Sequence, residues 1–200
     1  DISRLSISTI QTLNFNGIKK LSPKSIQAFS GKQISKIQSN AMSALSALQL
    51  KSIPWKSIKA LSSDQISSLA PSAAKGFSSE QANKISTRAF KAFRPRQLAK
   101  FSKDAITGLN KSQLKVLTGE QLSAFKPSQI KTISADAISG LKPTSLDTLS
   151  KRQVKAFTNE QLASLSRKQL RNANHFIDIL SNKQLKALSL DPGRFNRDRK

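Results

Sequence analysis

The sequence predicts an all-α fold, an α-solenoid of very short helices in which eight-residue repeats are paired into sixteen-residue, two-helix units. Three observations carry that expectation. The stretch Asn110 to Leu141, NKSQLKVL TGEQLSAF KPSQIKTI SADAISGL, is one octad pattern written four times. Octads open on helix-capping residues, and Pro23, Pro71, Pro95, Pro127 and Pro143 fall one place after the cap, where a missing N–H costs nothing. A small residue then recurs at every sixteenth place, from Ala28 to Ala156.

Each octad reads as one helix. Thr118-x-x-Gln121 and Ser78-x-x-Gln81 are capping boxes, in which the hydroxyl accepts from the backbone of the third helical residue and the Gln reaches back to the cap. Because the next cap follows eight residues on, no helix can run much beyond about six or seven residues, roughly 10 Å. Isolated helices are marginal below about 12 residues, so each must pack the aliphatic residues at its fifth and eighth places against other octads. One continuous helix is excluded, since an eight-residue stripe drifts by about 80° per repeat and the prolines interrupt it. A β-solenoid is excluded as well, because apolar residues three apart fall on opposite faces of a strand.

The register runs from the first residues: Ile2/Leu5, Ile10/Leu13, Ile18/Leu21, Ile26/Phe29, Ile34/Ile37, Met42/Leu45, Leu50/Ile53, Ile58/Leu61, Ile66/Leu69 and onward to Leu162/Leu165. It is already in phase at Asp1, with no initiator Met, which predicts a polypeptide cut from a longer one. Ala28, Ala44, Ala60, Gly76, Ala92, Gly108, Ala124, Gly140 and Ala156 hold the seventh place of one octad class. The alternate class carries Gln33, Gln49, Gln65, Gln81, Gln97, Gln113 and Gln129 at its fourth place, where the first class has Ala41, Ala73, Ala89, Ala105 and Ala137. Glycine costs about 1 kcal/mol against Ala inside a helix, so Gly76, Gly108 and Gly140 predict a close approach of helices. Each two-helix unit is expected to contact mainly its neighbours at about 8–10 Å, giving a body on the order of 100 Å long.

Local departures sharpen the expectation. Ala74 and Ala82 are undersized at an apolar place, and Phe77, Phe90 and Phe93 are expected to restore the volume. Pro54 stands at a cap and leaves Trp55 at the first helical place, part-exposed, with packing as its first expected role and binding as the alternative. After Leu170 the register slips by one residue, so a break is expected near residues 171–177, with Asn172 to Phe176 as a bulge or the start of a capping unit. The repeat domain is assigned to residues 1–188 and a basic C-terminal tail to residues 189–200.

Charge points to partners. The chain carries 34 Lys and Arg against 11 Asp and Glu, a formal charge of +23, and a device for solubility alone need not be so one-signed. Lys59, Lys75, Lys91 and Lys155 share one place in the two-helix unit and are expected to form a basic face, with Arg194, Arg197, Arg199 and Lys200 as accessories. Such a field suits an anionic polymer, polysaccharide or nucleic acid, or an acidic protein subunit. No apolar run approaches the about 20 residues of a membrane span. No cysteine is present, which removes disulfides and thiolate metal sites. The single histidine, His175, stands apart from other ligand-type residues, and Asp64, Glu80, Asp104, Glu120, Asp136 and Glu160 fall in the first turns of helices, where they complement the dipole. No phosphate loop, His-x-x-x-His pair or nucleophile elbow occurs, so no catalytic, cofactor-binding or metal residue is assigned and no enzyme activity is expected.

Written as Ser62 to Leu69 (SSDQISSL) and Thr158 to Leu165 (TNEQLASL), the octad resembles the Ser/Thr-x-x-Gln-Ile-x-x-Leu arrays inside large repetitive secreted or surface proteins of bacteria. The resemblance implies extracellular scaffolding. The expected function is therefore a non-enzymatic structural or interaction module, a segment of a larger exported or surface assembly with a basic face for an anionic partner. Ile2 and Leu5 are ordinary repeat residues, so self-association through uncapped solenoid ends is expected too. The alternative is a nucleic-acid-binding helical-repeat protein, in which Gln27, Ser43, Lys59, Lys75, Lys91, Thr107, Ser123, Ser139 and Lys155 would meet successive nucleotides. Against it, Phe77, Phe93, Phe125 and Phe157 occupy core places, leaving few aromatic platforms for bases.

Overall fold

The computed structural model describes residues 2–188. Every regular element among them is helical: twenty-two α-helices and two 3-10 helices, none longer than six residues. Capping sets that length. In the helix Ser63–Ser68, the Ser62 hydroxyl accepts from the Gln65 backbone N–H, the Gln65 side chain accepts from the Ser62 backbone, and the chain turns extended at Leu69. The same reciprocal box opens Ala47–Ser52, Ser79–Lys84, Lys111–Val116 and Asn159–Ala163. Pro23, Pro95, Pro127 and Pro143 stand at the helical start, as their spacing predicts. Pro71 does not. Ala70, at that octad's cap place, has no side-chain oxygen to accept a bond, and the octad forms the 3-10 helix Ala73–Gly76 with Pro71 in the preceding turn.

The apolar pairs form the core. From Ile26 and Phe29 to Leu162 and Leu165 the fifth and eighth places are buried. Where Ala74 and Ala82 leave room, Phe77 and Phe93 pack edge to face with centroids 5.8 Å apart, and Phe101 lies 5.5 Å from Phe77 and 5.1 Å from Phe93. Phe90 completes the cluster at 5.3 Å from Phe93. The volume compensation expected of the phenylalanines is thus present, with Phe101 as an added member.

The chain forms two compact units, Asp1–Leu109 and Asn110–Lys200. No change of composition marks their boundary, which falls between two octads. Within the first unit, Ala47–Ser52 packs against Pro23–Gln27 and Ala73–Gly76, Ser39–Met42 against Ser63–Ser68, and Ser79–Lys84 against Lys103–Thr107. Within the second, Lys111–Val116 packs against Ala135–Ile138, and Gly119–Ser123 against Pro143–Leu146. These partners stand three octads apart in sequence, whereas the sequence suggested stacking between successive units. The reason is geometric. A helix of four to six residues ends in an extended cap that redirects the chain, so the path meets its earlier course only after several octads.

Buried glutamines tie those courses together. Gln65 is 1% exposed, and its Nε2 donates to the carbonyls of Ile34 and Ile37, both at 2.8 Å, the latter 28 residues earlier. Gln49, Gln81 and Gln97 repeat the bridge in the first unit, and Gln153, Gln161 and Gln169 do so in the second. Each amide therefore closes its own helix cap through Oε1 and clamps the preceding course through Nε2. At two octads that lack Gln, Ser57 and Ser145 donate to Phe29 and Leu117 carbonyls, again 28 residues back.

The small seventh places lie where two courses touch. A Cβ on Gly76 would come within 2.8 Å of the Ala47 carbonyl carbon, and one on Gly108 within 2.6 Å of that of Ser79. In the second unit a Cβ on Gly140 would meet the Lys111 carbonyl carbon at 3.0 Å. Real Cβ atoms do not pack this closely, so the close approach expected from these glycines is a steric requirement.

The register break is a seven-residue repeat. Asn174–Asp178 is a helix with Phe176 and Ile177 buried, and it follows an Ala173 cap that offers no side-chain bond. Asp147 supplies the missing acceptor: its Oδ1 takes the Phe176 N–H at 3.0 Å, from 29 residues away. Phe176 stacks edge to face on Phe157 at 5.3 Å. The octad phase then resumes at Ser181–x–x–Gln184, whose Nε2 reaches the Val154 carbonyl at 2.8 Å, 30 residues earlier.

Candidate binding surface

All lysines and arginines among the described residues are exposed. This follows from the octad, whose inward places are apolar, small or Gln, so cations fall only on the outward second, third, sixth and seventh places or at the cap. Acids are far fewer, 11 against 34 Lys and Arg, and two of them also accept from the backbone: Asp104 Oδ2 takes the Ser79 N–H at 3.2 Å, and Asp147 that of Phe176. The outward field is therefore strongly positive.

Lys59, Lys75, Lys91 and Lys155 are each exposed. The first three end helices with different partners: Trp55–Ile58 packs against Gly31–Ile34 and Ser79–Lys84, Ala73–Gly76 against Ala47–Ser52, and Thr87–Phe90 against Ser63–Ser68. Lys155 belongs to the second unit. Arg194, Arg197, Arg199 and Lys200 lie outside the described residues. His175 is exposed. Among the described residues no group of three or more His, Cys, Asp or Glu is placed to hold a metal ion, and no helix is long and apolar enough to cross a membrane.

The structure instead brings together a set that no sequence period marks. Pro54 caps Trp55–Ile58 without a side-chain bond and leaves Trp55 at the helix start, 41% exposed. The seventh place of an octad sits on the second place of the octad three before it, as Gly76 on Ala47 and Gly108 on Ser79 show. At Trp55 the same contact is made by Lys84, whose Nζ lies 5.7 Å from the indole centroid, while Lys56 Nζ lies 5.5 Å away. Two ammonium groups thus flank one exposed ring, each such pair being worth about 0.5–1 kcal/mol at an exposed site. Ser79, Glu80 and Asn83 join Trp55 and Lys84 around a shallow, open cleft of about 340 Å³. Asp104 fixes the Ser79 backbone, and Asn83 Nδ2 donates to the Gly108 carbonyl at 3.1 Å, so the polar wall is anchored at both ends. Lys56 and Lys84 stand 28 residues apart, the separation of the glutamine clamps, and that shared number is the signal by which sequence alone could have paired them.

Neither protein-family models nor curated proteins match this chain.

Proposed function

We propose that this chain is a non-enzymatic interaction module of an exported or surface-associated assembly, and that it binds an anionic partner through its outward lysines and arginines. The observation that carries this reading is the excess of exposed positive charge: every described lysine and arginine faces solvent, and far fewer acids share that surface. A chain of formal charge +23 arranged this way presents many cations to an extended polyanion, and their contributions add through counterion release. Lys59, Lys75, Lys91 and Lys155, with the tail residues Arg194 to Lys200, are the proposed contributors named by sequence. The octad's resemblance to repetitive bacterial secreted proteins supports the scaffolding part of the reading.

Heparin affinity across a salt series tests it. The logarithm of the binding constant should fall linearly with the logarithm of salt concentration. The triple reversal Lys59→Glu, Lys75→Glu, Lys91→Glu should weaken binding more than Lys24→Glu, Lys103→Glu, Lys183→Glu. Equal loss from both triples makes the charge a diffuse feature without a site, and absence of binding to heparin, nucleic acid and an acidic protein at low salt refutes the reading.

A further inference from the structure

We infer that the Trp55 cleft is a subsite for an acidic sugar ring, an inference that rests on the anionic-partner reading and names its chemistry. The cleft combines three kinds of group. An indole face that is partly open takes the apolar face of a pyranose, as rigid aromatic rings do where one side is wet. Lys56 and Lys84, held within 5.5 and 5.7 Å of the ring centroid, meet a carboxylate or sulfate on that same sugar. Glu80 and Ser79, on the same helix as Lys84, offer oxygens to ring hydroxyls.

Glu80 decides between polyanions. A phosphate backbone offers no donor to a carboxylate and is repelled by it, whereas a sugar ring carries hydroxyl donors beside its acid. Nucleic acid also requires successive stacking platforms, and among the described residues the large exposed apolar side chains apart from Trp55 are Phe15 and Leu48. In the free protein the two ammonium groups rest against the indole. A bound acidic sugar takes the ring face and draws both cations to its own acid group.

The chain's single Trp and absence of Tyr make intrinsic fluorescence a report from this cleft alone. Heparin and polygalacturonate should change the emission saturably, while inorganic polyphosphate, which has no ring, should bind with little change. Trp55→Ala should weaken polygalacturonate binding about ten-fold, one decade in Kd, and leave polyphosphate binding nearly unchanged; Trp55→Phe should restore part of the loss, and circular dichroism checks that both variants fold. Glu80→Ala is the sharper test, because removing a negative charge should strengthen polyphosphate binding yet weaken polygalacturonate binding by about three-fold, roughly half a decade in Kd. If Glu80→Ala strengthens both, the cleft is only a patch of positive potential and the inference is overturned. It is also overturned if Trp55→Ala leaves sugar binding intact, or if oligo(dT) changes the emission and the sugars do not. Salt-dependent heparin binding that leaves the indole silent removes the subsite and keeps the proposed function, whereas no polyanion binding at low salt removes both.

Discussion

Replacing Gln97 by Glu probes the force that holds successive courses together. Gln97 is 0% exposed; its Oε1 accepts the Arg94 N–H at 2.7 Å, and its Nε2 donates to the Ile66 and Leu69 carbonyls, both at 2.8 Å. Glutamate is nearly isosteric and keeps the accepting oxygen, so the Arg94 cap survives. The second oxygen cannot donate when ionised, so the Ile66 carbonyl is left with the Leu69 N–H at 3.2 Å and the Leu69 carbonyl with Arg94 Nη2 at 3.0 Å, and a negative charge is placed in a desolvated site facing both. We expect a net loss of about 2–4 kcal/mol at neutral pH, below the about 3–5 kcal/mol of an uncompensated buried charge because the Arg94 guanidinium reaches the same Leu69 carbonyl.

The sign of its pH dependence separates this mechanism from simple misfit. Burial and the two facing carbonyls raise the carboxyl pKa of the folded variant above its unfolded value, and the solvent-exposed Arg94 guanidinium opposes them only in part. The folded state then holds the proton more tightly, so the penalty is smallest below the ordinary carboxylate range and grows as pH rises through and above it. Urea unfolding of Gln97→Glu against the parent at pH 7 and near pH 4 reads this directly, because the protonated carboxyl regains one donor. Gln27→Glu, at an exposed place, should stay within about 0.5 kcal/mol at both. A Gln97→Glu chain as stable as the parent at neutral pH, or one whose deficit does not shrink on acidification, refutes the clamp.

Gly108→Ala and Gly31→Ala should move in opposite directions. At Gly108 the new Cβ would strike the Ser79 backbone and cost about 1–3 kcal/mol by overpacking, whereas at Gly31 the nearest atoms are 3.6 Å away and helix propensity should gain about 0.5–1 kcal/mol; thermal unfolding checks both signs. Asp147→Ala should cost about 1 kcal/mol and raise amide exchange at Phe176 before it affects distant octads, since it removes the acceptor of an otherwise uncapped helix start. Phe93→Ala should cost about 3–5 kcal/mol, because Phe93 touches three other rings and leaves a cavity that the backbone cannot close.

Local chemistry was legible in the sequence because it is written within one octad. Ser62 and Gln65 stand three residues apart, so the capping box, the helix length and the inward apolar pair all follow from eight letters. Gly76 and Gly108 announced a close approach because no helical preference explains a glycine there. What they approach was not legible. The carbonyls of Ala47 and Ser79 lie three octads back, at a distance set by how far each extended cap turns the chain, and no single residue encodes that angle. Gln65 shows the same limit from the other side: its Oε1 bond to the cap could be read, while its Nε2 bonds to Ile34 and Ile37 needed the courses placed in space.

The same arithmetic explains why the candidate cleft escaped a reading based on periods. The clamp separation is 28 residues and the octad is eight, and 28/8 is 3.5, so successive courses meet half an octad out of phase. A residue therefore faces a different place of the octad, often in the alternate class, and neither the eight- nor the sixteen-residue period aligns the pair. Lys59, Lys75 and Lys91 recur every sixteen residues without recurring at the separation at which courses touch. Lys56 and Lys84 share no octad place, yet they stand at that separation and converge on one indole. In an array of this kind, shared register identifies residues with the same local duty, while shared surroundings follow from the clamp spacing. A binding surface has to be sought along the second.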